Sequence, residues 1–184
     1  MQFTNVIKAG MAMILVAFVS GFITSFSPDH VQSAAAEKVK WVKLKRKDLK
    51  FQARFPGEIT TKTTEKEKLT THKFNCTLHD VVYFIGASVH KVEMTDHENM
   101  AKISLESFAK TLNGEVDAEK EWILKGNKGM QAIINVPSMG ATIDYRVILI
   151  GQIQYQVVLT YANDNPDYSS EMAETFFKSF KVKK

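Results

Sequence analysis

The chain has 184 residues, 24 of them lysine or arginine against 20 aspartates and glutamates, and 45% are hydrophobic. A formal charge of +4 is too small to imply a polyanionic partner such as nucleic acid by itself. The length suits one ordinary domain with a single core, and one cysteine, Cys76, excludes an intramolecular disulfide, so that core must carry the fold.

The first residues follow the order of a signal peptide: Lys8, an uncharged run over 9–26, then Ser33-Ala34-Ala35-Ala36. Cleavage after Ala36, with small residues at Ala34 and Ala36, divides the chain into a leader at 1–36, a basic lead-in at 37–48 and one α+β domain at 49–184. The apolar run also approaches the ~20 residues of a spanning helix, so an uncleaved N-terminal anchor over 9–26 is the alternative. The lysines and Arg46 that follow it would pull an anchored form toward the wrong orientation, which favours cleavage. No cysteine closes the leader, which excludes an ordinary lipoprotein anchor. The expected location is extracytoplasmic, periplasmic or secreted.

From Val39 the chain alternates in the manner of strands. Leu49, Phe51, Ala53 and Phe55 share one side, Lys50, Gln52 and Arg54 the other, and Pro56-Gly57 stops the run. Residues 58–65 read as a polar, threonine-rich strand, and residues 69–78 continue it into a meander with one wet face. Residues 81–92 read as a central strand, with Val82, Phe84, Gly86 and Ser88 opposite Val81, Tyr83, Ile85, Ala87 and Val89.

Thr95-Asp96-His97-Glu98 has the spacing of a capping box and predicts a helix whose stripe is Leu105, Phe108, Ala109 and Leu112, stopped by Asn113-Gly114. Strands follow at 115–125, 130–136, 142–150 and 153–161. The turns between them are Gly126-Asn127-Lys128-Gly129, Pro137-Ser138-Met139-Gly140 and a two-residue type II′ hairpin at Gly151-Gln152. Asn165-Pro166 predicts the N-cap and first residue of a last helix, with Ala173, Phe176, Phe177 and Phe180 as its stripe. The expected architecture is α+β: a largely antiparallel twisted sheet of seven to nine strands under two helices, preceded by the hydrophobic leader helix.

Candidate chemistry is sparse. His72, His79, His90 and His97 have acidic neighbours, but their spacing matches no compact ligand motif; His90, Glu93 and His97 are the weak metal candidates. A hydrolase-type site would need His79, His90 or His97 to converge with carboxylates in one cleft. Neither a nucleophile elbow, a Walker loop nor a dinucleotide fingerprint occurs, and no cofactor is expected. Cys76 reads as a small buried side chain, and Trp41, Trp122, Tyr145, Tyr155 and Tyr161 as core or sheet-face packing. The densest charge feature is Lys38, Lys40, Lys43, Lys45, Arg46, Lys47, Lys50 and Arg54. It reads either as a tether leading into a lysine-protected edge strand or as a contact for an anionic membrane surface.

The segments Phe51-Gln52-Ala53-Arg54-Phe55-Pro56-Gly57 and Phe176-Phe177-Lys178-Ser179-Phe180, with strand, hairpin and helix between them, resemble the Mog1/PsbP-like α/β sandwich, which includes exported bacterial members. The resemblance implies a non-catalytic domain that docks on larger assemblies and carries over no functional residue. The expectation is an exported binding or accessory protein of the cell envelope, with an unknown envelope partner and no nucleic acid. Its alternatives are a peripheral membrane protein that uses the basic stretch and a hydrolase with a His/acid site.

Overall fold

The computed structural model describes residues 39–183. The leader helix, its cleavage site at Ala36, the anchor alternative and Lys38 lie outside the described residues.

Ten strands and two helices follow in the order β1 (Val42–Arg46), β2 (Phe51–Phe55), β3 (Thr60–Lys66), β4 (Leu69–Leu78), β5 (Val81–His90), α1 (His97–Thr111), β6 (Glu115–Leu124), β7 (Asn127–Val136), β8 (Ala141–Ile150), β9 (Ile153–Ala162), α2 (Ser170–Ser179) and β10 (Lys181–Val182). The chain is thus α+β, but its strands form two antiparallel sheets rather than one. Seven run β3-β4-β5-β9-β8-β7-β6, and the other three run β1-β2-β10.

The expected single core is also divided, because the large sheet is covered on both faces. Helix α1 packs on β7 and β8, where Leu105, Phe108 and Ala109 meet Ile134, Ile143, Tyr145 and Val147. On the opposite face the small sheet and α2 bring Phe51, Phe55, Phe176 and Phe180 against Phe74, Tyr83, Ile85 and Tyr155. Strand β5 lies between the two cores, which is why Val81 through Ser88 are all buried and apolar residues occupy both of its sides. Cys76 is buried in the second core, and burial pushes its thiol up to about 11, the inert form of the side chain.

Local chemistry explains the element ends. Helix α1 stops in a Schellman motif: Gly114 N–H bonds Ala109 O at 2.9 Å, Asn113 N–H bonds Lys110 O at 3.2 Å, and Asn113 takes the left-handed conformation at φ 50. Gly151 sits at φ +60 in the β8–β9 hairpin, which closes on the pair Ile150 and Ile153 as a type II′ turn requires.

Three local expectations are corrected. The capping box does not form: the N-cap of α1 is Asp96 rather than Thr95, in the left-handed conformation at φ 56 and ψ 54 instead of the extended one a capping residue usually takes, and it makes no side-chain cap bond. Helix α2 starts at Ser170 rather than at Asn165-Pro166. Ser169 Oγ accepts from Met172 N–H, while Asn165 Oδ1 accepts from Asp167 N–H and its Nδ2 donates to His79 O, so Asn165 makes a turn. The β6–β7 turn is the two-residue Lys125-Gly126, both at positive φ, and Asn127 already pairs with Leu124.

Candidate functional site

The segment expected as a basic lead-in is an edge strand. In β1 the residues alternate, so that Val42, Leu44 and Arg46 face inward over Phe55, Ala53 and Phe51, while Lys43 and Lys45 face outward beside Arg54 and Gln52. Strand β10 pairs with the other edge of β2. Lys181 lies beside Gln52, and Lys183 N–H reaches Lys50 O at 2.7 Å.

The outer face of the small sheet therefore collects cations from both ends of the domain: Lys43, Lys45, Lys47, Lys50 and Arg54 from the first strands, and Lys181 and Lys183 from the last. The crowding acts on Lys183. The Lys183 ammonium is held below the ordinary lysine value chiefly by Lys45, with Lys43 and Lys47 adding to the repulsion. At the other end of this face a cleft of about 320 Å³ is lined by Lys43, Arg54, Lys178, Lys181, Gln52 and Thr175. Ser179 joins its walls by accepting from Arg54 N–H at 2.8 Å.

Arg46 does not belong to this face. Its guanidinium lies 5.1 Å from the centre of the Phe74 ring and donates to Asp48, Nε to Oδ1 at 3.0 Å, which holds the Asp48 carboxyl down at about 2. Lys40 is exposed ahead of β1. Lys178 has a carboxylate neighbour on its own helix, Glu174, at 2.6 Å.

The histidines are placed apart. His72 lies on β4 with Nδ1 3.0 Å from Thr63 Oγ1, and His79 forms the β4–β5 turn. His90 is buried at the far end of β5, so that the ten-residue strand, about 30 Å long, separates it from His79. His97 opens α1 and its Nε2 bonds Met94 O at 3.0 Å, while Glu93 is exposed in the preceding loop. Among the described residues no group of three or more His, Cys, Asp or Glu could hold a metal ion.

A second polar feature was missed in the sequence. Under α1, Ser104 Oγ lies 3.2 Å from Tyr145 OH and accepts from Gln154 Nε2 at 2.7 Å, while Gln156 Nε2 donates to Tyr145 OH. Four buried atoms in and beside this seam have no hydrogen-bond partner: His90 Nε2, Gln154 Oε1, Gln156 Oε1 and Thr160 Oγ1. The signal was the i, i+2, i+6 spacing of Gln154, Gln156 and Thr160 in a strand whose alternate residues are Tyr155, Val157 and Leu159.

No protein-family model matches the chain, and no curated protein matches it. Among solved structures it is similar to a protein of Bacteroides thetaiotaomicron VPI-5482 at 10% identity and a TM-score of 0.33. That likeness covers 73% of this chain and 46% of the other, and it carries no argument about fold or function.

Proposed function

We propose that the protein is an exported, non-catalytic binding protein of the cell envelope that engages an anionic membrane surface through the basic outer face of the β1-β2-β10 sheet. The observation that carries the reading is the convergence of the two chain ends on one face: Lys45 of β1 and Lys181 of β10 both pair with Gln52, and Lys183 N–H bonds Lys50 O at 2.7 Å. A face that gathers cations of one sign attracts an anionic partner. The separation of His79 from His90 along β5 supports the non-catalytic part, and the leader at 1–36 supports export. Membership of the Mog1/PsbP-like sandwich belongs to the same proposal. Its support is that the two segments bearing the resemblance pack together, with Phe55 and Phe176 at 5.3 Å and Phe51 and Phe180 at 5.7 Å between ring centres.

Co-sedimentation with vesicles of phosphatidylcholine, with and without phosphatidylglycerol, tests the reading. Binding is expected only to the anionic vesicles and weakens as salt shortens the screening length from about 10 Å at 0.1 M to about 3 Å at 1 M. Replacing Lys43, Lys45 and Lys181 by alanine costs about 1 kcal/mol each at low salt, a hundredfold loss in all. Replacing Lys62 and Lys66 on β3 leaves binding unchanged. Equal binding to neutral vesicles, or binding that ignores salt, overturns the proposal.

A further inference from the structure

At the Lys50 and Lys183 end of the basic face the two sheets part. A cleft of about 330 Å³ opens there between the β8–β9 hairpin and the adjoining ends of β2 and β10. Val89, Ile150, Ile153, Tyr155 and Val182 form its walls. These residues belong to or pack against the second core, so the cleft reaches apolar surface that the rest of the fold covers. The floor is held in place: Tyr155 OH donates to Leu49 O at 2.9 Å, and Lys183 N–H donates to Lys50 O at 2.7 Å. The exposed residues that flank the cleft are Gly151 and Gln152 of the β8–β9 hairpin and the cations Lys50 and Lys183 at the edge of the basic face.

An apolar cleft with paired ammonium groups at its mouth matches one ligand chemistry. Water is poorly held by the aliphatic walls, whereas an alkyl chain gains roughly 0.8 kcal/mol for each methylene it buries. A carboxylate or phosphate head is attracted by the two lysines that line the cleft, and a cationic or neutral head is not.

We infer that this cleft seats the alkyl chain of an anionic amphiphile, with its head group between Lys50 and Lys183. The inference rests on reading the basic face as a surface for anionic lipid, and deepens it by naming what part of the lipid the protein takes. A free fatty acid and one acyl chain of an anionic phospholipid share this chemistry.

Calorimetric titration with decanoate below its micelle concentration, using protein recovered from expression of the full chain, tests it. Saturable binding at one site is expected, and decyltrimethylammonium binds at least tenfold more weakly. The double variant Lys50→Ala and Lys183→Ala loses at least tenfold in decanoate affinity. Val89→Trp, which fills the cleft from a half-exposed wall position, abolishes binding while the melting temperature stays within a few degrees of the parent. Competition separates the two sources: decanoate that displaces the protein from phosphatidylglycerol vesicles identifies a bilayer lipid as the ligand, and decanoate that leaves vesicle binding intact identifies a free fatty acid. Absence of saturable decanoate binding, or affinity unchanged in the double variant, overturns the inference even where vesicles are bound. Decanoate binding without any vesicle binding overturns the membrane reading and leaves the cleft.

Discussion

The guanidinium of Arg146 lies 3.7 Å from the centre of the Phe177 ring, and this contact ties strand β8 of the large sheet to helix α2 across the second core. The same side chain reaches Asp144 at 3.5 Å, where burial pushes the carboxyl above its ordinary value in spite of the positive neighbour. Arg146→Met removes the cation over the ring and leaves Asp144 half-buried without its partner. It is expected to cost about 1–2 kcal/mol, read as a lower urea midpoint at unchanged slope. A double cycle with Phe177→Leu that shows no coupling would remove the ring contact from the account.

The seam under α1 predicts non-additive substitutions. Ser104→Ala deprives the Gln154 amide of its acceptor in a buried setting and costs about 1–3 kcal/mol. Adding Gln154→Leu removes the stranded donor as well, so the double variant is expected to be more stable than Ser104→Ala alone. Urea unfolding of the three variants checks the order, and strict additivity contradicts it.

Burial lowers the His90 imidazole below its ordinary value of 6.5, with Gln154 pulling the other way, and His72 is lowered by burial and by Arg46. A histidine with a depressed folded value takes up its proton first in the unfolded chain. Stability is therefore complete above about pH 6.5 and is lost as the pH falls from there toward the folded value. Melting is expected to be several degrees lower at pH 5.5 than at 7.5, and His90→Gln narrows that gap. A variant whose melting temperature falls as far as that of the parent assigns the acid sensitivity elsewhere.

Gly129 stands on β7 between Trp122 and Ile148, and a methyl group added there meets the backbone of β8 at Val147 O and Ile148 Cα. Backbone in the middle of a sheet cannot yield as a side chain can. Gly129→Ala is expected to cost about 3 kcal/mol, measurable by denaturant titration, against less than 1 for an alanine placed at exposed Ser138.

The strands of the large sheet were legible because, apart from the β5–β9 junction, each pairs with its neighbour in sequence. Residues 69–78 and 81–90 turn within two residues and pair in register along their whole length, β5 standing out as an almost continuous apolar run rather than an alternating one. The division into two sheets was not legible. Strand β2 is flanked by β1 and by β10, and nothing in the periodicity of residues 51–55 announces a partner at Lys181 and Val182. The basic site shares that limit. Its first half is a visible run of lysines, whereas Lys181 and Lys183 join it only through tertiary pairing. Ser169 rather than Asn165 caps the helix: Asn165 Oδ1 accepts from Asp167 N–H in a separate turn, which its Nδ2 ties to the His79 carbonyl, a contact between distant turns.

The placement of β10 also sets an order of assembly for a chain that is synthesised from its N-terminal end. Phe51 and Phe55 are made early, yet the partners that shield them, Phe176, Phe180 and Val182, follow more than a hundred residues later, as the bond between Arg54 and Ser179 spans 125 positions. The half of the molecule under α1 has every partner it needs by the end of β9, so it can close while the tail is still to come. The second half stays open, aromatic residues uncovered, until the last strand arrives. Strand β10 thus acts as a latch, and the interval before it closes is when the aromatic residues of β2 are most open to aggregation.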